Sequence, residues 1–335
     1  MGIGISALSY YLPEKVITND FFQYAKNDFL ENKVGIRERH IAADNEYTSD
    51  MAVKAINSLL TKNNIDRNEI EFLVLCTLTP DYPIPQTSSM VQHACELPKN
   101  LMAFDVRIGC SGYVYSLALA HSLVNTFGYK KGLLVTADKF SSFLSYRDYT
   151  VDTLFSDTAT ATLIEKDAKL FEIVNYDFGT DGAGTGAITV QAGGCRLKGS
   201  DETNKFEYVR EGVERAKNYL YMNGKEVMKF VNHTVPGSAK KVMDGANITM
   251  DNIDWVVLHQ ANKLMLETLG RLCNIPAEKN YINLLNKGNT ISATIPVAIS
   301  EILENGDRLN NGNYWMVSGF GVGYSWGTSL LRYVG

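Results

Sequence analysis

Apolar positions along this chain fall into two alternating patterns. Short continuous apolar runs, such as Leu133–Val135 and Trp255–Leu258, predict strands buried on both faces of a sheet. Between them apolar residues recur at helical spacing. Met51, Val53, Ala55, Ile56, Leu59 and Leu60 predict a helix over Ser49–Leu60, with Thr48 and Ser49 as its cap signal. Tyr113–Thr126 is apolar all round and predicts a buried helix. Glu226–Asp244, Lys263–Cys273 and Pro296–Leu303 predict three more. Strand and helix alternate throughout, which implies α/β layers.

The chain also repeats itself. The run Ile65 to Cys76 lies over Ile248 to His259 with apolar positions matched one for one and an acidic residue before Phe72 and before Trp255. The offset is 248 − 65 = 183. Gly132 to Thr136 lies over Tyr314 to Ser318 at 314 − 132 = 182. One such match is what any two buried strands would give, but two in near register predict an internal duplication. The glycines of Asp181–Gly186 and Gly193-Gly194 mark mid-chain connections, so the halves meet near 165–180, giving an N-terminal half 1–170 and a C-terminal half 171–335.

Composition narrows the class. The 335 residues are 45% hydrophobic and 21% charged, which excludes disorder, and no run approaches the roughly 20 residues of a membrane span. A net charge of -5 argues against nucleic acid as a partner. The N-terminus shows no basic region followed by an apolar core, and five cysteines without CxxC spacing suit a reduced, cytoplasmic protein.

Among those cysteines, Cys110 stands apart. Ala103 to Gly112 reads strand, glycine, cysteine, small residues, then the buried helix, which places a thiol at a helix start where a thiolate is favoured. It is the nucleophile candidate. Cys76, Cys95, Cys195 and Cys273 are expected in apolar settings. His259 ends a buried strand, the place where open α/β sheets bind ligands. Asn289, in a Gly-Asn turn, reads on its own as a backbone cap.

Taken together these segments resemble a thiolase-superfamily condensing enzyme, similar to the beta-ketoacyl-acyl carrier protein synthase III family. The shared features are Gly109-Cys110-Ser111-Gly112, His259-Gln260-Ala261-Asn262, Gly288-Asn289-Thr290 and the C-terminal Gly319 to Gly327 run; Gly35 to Arg39, Thr79 to Tyr82 and Gly224 to Lys229 also match. The resemblance implies a five-layered αβαβα thiolase-like fold of two duplicated halves, a homodimer, and a Cys110–His259–Asn289 triad. It further implies an oxyanion hole from the backbone of Cys110 and Val322, with Phe29, Lys33, Ile84, Phe155, Lys229 and Lys263 at the substrate tunnel or carrier face. No permanently bound cofactor and no metal are implied; substrates ride on CoA or phosphopantetheine, with acyl carrier protein as partner. The implied reaction loads an acyl group on Cys110 and condenses it with malonyl-acyl carrier protein, losing carbon dioxide. Transfer of the acyl group to an alcohol or amine, or service as a non-catalytic partner subunit, are the other readings.

The chain departs from the family pattern at several points. Phe29 stands where a tryptophan is usual, Lys33 and Tyr149 where arginines are, Ser156 to Ala161 replaces a glycine-rich segment, and Val322 interrupts a glycine turn. Leu264 replaces an arginine, with Lys263 beside it. The weakened CoA grip favours a carrier-borne acyl donor.

Overall fold

A computed structural model describes residues 2–335. Nine strands form the main sheet: β1 (Gly4–Tyr11), β2 (Phe72–Cys76), β3 (Met102–Val106), β4 (Lys131–Asp138), β5 (Thr158–Glu165), β6 (Phe171–Thr180), β7 (Ile253–Leu258), β8 (Tyr314–Gly321) and β9 (Ser325–Tyr333). Their order is β7-β8-β9-β6-β1-β5-β4-β2-β3. Six longer helices cover it: α1 (Thr48–Lys62), α2 (Thr87–Ala94), α3 (Gly112–Phe127), α4 (Gly224–Ala246), α5 (Lys263–Leu272) and α6 (Thr294–Asn305). No helix among the described residues is long and apolar enough to cross a membrane.

The sheet consists of two blocks with one pairing scheme. β1 runs antiparallel to β5, β5 antiparallel to β4, and β4 parallel to β2. In the second block β6, β9, β8 and β7 repeat that sequence of antiparallel, antiparallel and parallel pairings. The blocks join where Gly4 and Ile5 pair with Glu172 and Phe171. Register tightens the repeat seen in the sequence. Phe72 faces Gly132 and Trp255 faces Trp315, so both strands are displaced by 183 (255 − 72 and 315 − 132). The 182 read from residue types slipped by one because Tyr314 also looks like a strand residue.

Layering follows from which helices are apolar on which side. α1 and α2 pack on the outer face of the first block, and α4 with α5 on the outer face of the second. α3 and α6 touch strands of both blocks. They form the middle layer, which is why α3 is apolar almost all round, and Phe72, Tyr113, Leu117, Ile295, Ile299 and Trp315 share one buried core there. The result is five layers, α-β-α-β-α.

Helix ends differ by a few residues from the sequence expectation. α1 is capped at Tyr47, whose N–H donates to Asp50 Oδ2 at 2.9 Å. Thr48 and Ser49 instead bond the loop after β2, donating to Thr79 O at 2.6 Å and to Asp81 Oδ2 at 2.5 Å. α6 starts two residues before Pro296, because a proline in the first turn gives up no helical hydrogen bond.

Candidate active site

The parallel strands of the two blocks deliver their C-terminal ends to one seam. Beyond β3 the chain turns through Gly109, Cys110 and Ser111 into α3; beyond β7 comes His259; beyond β8 comes Val322. The turn before α6 adds Asn289. All four residues line one cavity of about 340 Å³, with Phe140, Phe143 and Phe155 among its apolar walls.

Cys110 sits one residue before Ser111, the N-cap of α3. Burial pushes its thiol up to about 12, opposed by the N–H groups of Val322 and of Cys110 itself, which face the sulfur. The expectation of a standing thiolate is therefore corrected. The thiol precedes the helix rather than opening it, and loss of water outweighs the backbone dipoles. Room for it comes from Gly321, where a Cβ would stand 2.9 Å from Sγ. Val322 fits because it packs on Gly109, where a Cβ would come within 2.5 Å of its Cγ1. Cys76 and Cys95 are buried as expected and Cys273 is partly so, but Cys195 is exposed. It follows Gly193-Gly194 in a loop, which offers no apolar wall to bury it.

His259 is 1% exposed and extends the β7–β8 ladder, donating its N–H to Ser318 O at 2.7 Å. Its Nδ1 lies 2.8 Å from Thr294 Oγ1, so Nε2 is the nitrogen left for the cavity. Burial lowers its pKa to about 3, which keeps the ring neutral. The rest of the motif is structural. Gln260 donates to Leu258 O and Tyr281 O, and Asn262 Oδ1 caps α5 by accepting from Met265 N at 2.9 Å.

Asn289 is more than the backbone cap its turn suggested. Its own backbone bonds the Leu154–Ser156 segment, placing it beside Phe155. Its Oδ1 accepts from Ile291 N at 2.9 Å, which leaves the Nδ2 hydrogens for the cavity. Ile291 holds a left-handed backbone, φ 55°, an unusual state for a β-branched residue.

Of the remaining residues expected at the tunnel, Phe155 lines the cavity and the others do not. Ile84 is 85% exposed, on a loop tied to the edge strand β3 through Asp105, which accepts from Thr87 N and Ser88 N. That anchoring keeps Ile84 out of its own chain's cavity. Phe29 and Lys33 are exposed on the segment leading to Gly35, which packs against Lys263. Lys263 and Lys229 follow the lining residues Asn262 and Met228 by one position each, at the rim. Lys263 lies 4.0 Å from Glu267.

Sequence reasoning passed over Ile291, Thr294, Asp138 and Arg107. Arg107 is the one lysine or arginine among the lining residues. Asp138 could have been noticed as an acid closing an apolar strand; nothing in the residue types marks Ile291 as left-handed.

Two family descriptions match the chain: 3-oxoacyl-[acyl-carrier-protein] synthase III over residues 104–182, and the C-terminal part of the same enzyme over 243–333. The chain is 34% identical to a beta-ketoacyl-[acyl-carrier-protein] synthase III of Chlamydia caviae, over 98% of this chain and 96% of the relative. A crystal structure of a 3-oxoacyl-(acyl-carrier-protein) synthase III is 39% identical, with TM-score 0.95 over 99% of this chain and 100% of the other. The Thermus thermophilus enzyme of that name is 31% identical, with TM-score 0.86 over 98% of both. With its thiolase-like layers and its cysteine, histidine and asparagine drawn to one cavity, the chain belongs to the 3-oxoacyl-[acyl-carrier-protein] synthase III family.

Proposed function

We propose that Cys110 takes up the acyl group and that His259 and Asn289 drive decarboxylation of the malonyl unit. Membership of the family makes the chain an acyltransferase of the condensing type, acting in fatty-acid or polyketide synthesis. What remains is which atoms do the work.

Cys110 Sγ attacks the acyl thioester carbon, the carrier thiol departs with the cysteine proton, and the acyl group stays on sulfur. Malonyl thioester then enters. His259 Nε2–H and Asn289 Nδ2–H donate to its carbonyl oxygen, the bond to the carboxylate breaks, and carbon dioxide leaves an enolate. Its carbon attacks the acyl-cysteine, whose oxyanion is held by the N–H groups of Cys110 and Val322; collapse expels the Cys110 thiolate and forms the 3-oxoacyl product. A neutral imidazole has one ring proton. For it to lie on Nε2, the Thr294 hydroxyl, which also reaches Ile291 O at 3.1 Å, must turn its one proton to Nδ1 at 2.8 Å when the malonyl unit is bound.

The observation that carries this reading is the tie between Ile291 N–H and Asn289 Oδ1, because it turns donors, not an acceptor, toward the cavity. The same cavity lining contains no carboxylate, and a histidine lowered to about 3 is a poor base. Transfer to an alcohol or amine would need such a base; an enolate formed by loss of carbon dioxide does not.

Three finer features belong to the reading. The halves divide at 170/171, supported by the repeated pairing scheme. Two copies form a homodimer across β3, supported by its unpaired edge and by Ile84 exposed beside it. Acyl carrier protein docks at Lys229 and Lys263 beside the cavity lining, with Lys225 one helical turn before Lys229 on α4. The test is mass analysis of products from malonyl carrier with a panel of acyl donors: 3-oxoacyl carrier supports the reading, and esters or amides without carbon dioxide release contradict it.

A further inference from the structure

Asp138 ends β4 beneath the site, 1% exposed, and does not line the cavity. No lysine or arginine among the described residues pairs with it. A buried carboxylate without a cation persists only where donors satisfy it. Here Oδ1 accepts from Leu78 N at 2.7 Å, with the hydroxyls of Thr77 and Thr79 at 3.3 and 3.4 Å. Oδ2 accepts from Ser292 Oγ at 3.0 Å. One side chain thus links two segments from different halves of the chain. The first is the loop after β2, which supplies Leu78 to the cavity wall. The second is the turn from Asn289 to Thr294, which supplies one donor and bonds the other.

That turn needs an external tie. Ile291 is in a left-handed backbone, and such a residue keeps its conformation only when its surroundings over-determine it. Its N–H is held by Asn289; the next residue along, Ser292, is held by Asp138. We propose that Asp138 is a positioning residue for decarboxylation, acting through Ser292 to hold the turn that aims Asn289 and orients His259. The inference rests on the assignment of those two donors to the decarboxylation step. Their aim matters because misplacing a catalytic group by about 1 Å can cost on the order of 100-fold in rate.

Ser292→Ala, Asp138→Asn and Asp138→Ala are compared singly, and Ser292→Ala is combined with Asp138→Ala. Ser292→Ala is the gentle variant, since it leaves Leu78 N–H bonded. It lowers kcat for malonyl-carrier decarboxylation about tenfold with KM unchanged, while acylation of Cys110 stays within about twofold. Asp138→Asn keeps most of the rate, because its amide oxygen still accepts from Leu78 and its NH2 can donate to Ser292 Oγ. The double variant is no slower than the slower single, since both act through one bond. A Ser292→Ala enzyme with unchanged decarboxylation, equal losses in both half-reactions, or losses that multiply in the double variant overturns the inference. If the unmodified protein releases no carbon dioxide, the donor assignment itself fails, and this inference with it.

Discussion

Ile291 donates its backbone N–H to Asn289 Oδ1 at 2.9 Å from a left-handed conformation that its β-branched side chain disfavours. The amide of Asn289 is thereby fixed one way round, with its NH2 toward the cavity. A strained residue at this place follows from what it does: a relaxed backbone would turn that N–H elsewhere.

The strain predicts an inverted order of stability. Ile291 is buried, so truncation should cost about 2–5 kcal/mol and more for a smaller side chain. Glycine, however, adopts the left-handed state without steric cost, where alanine does not. Ile291→Gly should therefore unfold about 1 kcal/mol later than Ile291→Ala in urea. Glycine proving the less stable of the two would show that the turn is not strained.

Thiol chemistry should separate Cys110 from Cys195. An acyl thioester should label Cys110, because it is the one cysteine that lines the cavity, with the N–H groups of Val322 and Cys110 facing its sulfur. Iodoacetamide should also label exposed Cys195, and at Cys110 its rate should climb with pH without levelling below about pH 10, since burial raises that thiol to about 12. A plateau near neutrality, or acyl label on Cys76, Cys95, Cys195 or Cys273, would count against the assignment.

His259 should make stability depend on pH. Its folded pKa is lowered to about 3, against a reference of about 6.5 for the unfolded chain. Between those values the unfolded state binds the proton and the folded state does not. The stability due to the neutral ring is thus complete above about pH 6.5 and is lost as pH falls. The advantage of the parent protein over His259→Gln should shrink by about 2 kcal/mol between pH 7 and 5 in urea titrations. A gap that stays constant would mean that the imidazole is solvated.

A carrier that docks on the rim should feel its lysines. Reversing charge at Lys229 and Lys263 together should lower kcat/KM for carrier-borne substrates, less so at high salt, and leave a small pantetheine thioester nearly unaffected. Lys263 already lies near Glu267, so Lys229 should carry the larger share. Equal loss with both substrates would remove the patch from the account.

How much of this was legible beforehand depended on range along the chain. The strand-like runs and the buried helix over 113–126 were readable because each declares its burial in consecutive residues. Cys110 and His259 could be picked out because each ends a strand. Asn289 had a signature only through the family motif, since its role comes from Ile291 two residues on and from a cavity that other segments complete. Asp138 and Thr294 act through partners 154 and 35 residues away, and no local pattern records such pairs. Ile84 is a different case: the resemblance implies a place at the tunnel or carrier face, and within one chain it is exposed beside the edge strand β3.

The central claim is that Asn289 and His259 serve the malonyl step rather than the acyl step. The direct measurement follows both half-reactions in Asn289→Ala and His259→Ala: acylation of Cys110 by intact mass, and carbon dioxide release from malonyl carrier. The account predicts acylation near the parent level in both variants and decarboxylation down on the order of 10²–10³-fold for each donor removed. Parallel loss of the two half-reactions, or decarboxylation that survives without both donors, would contradict it.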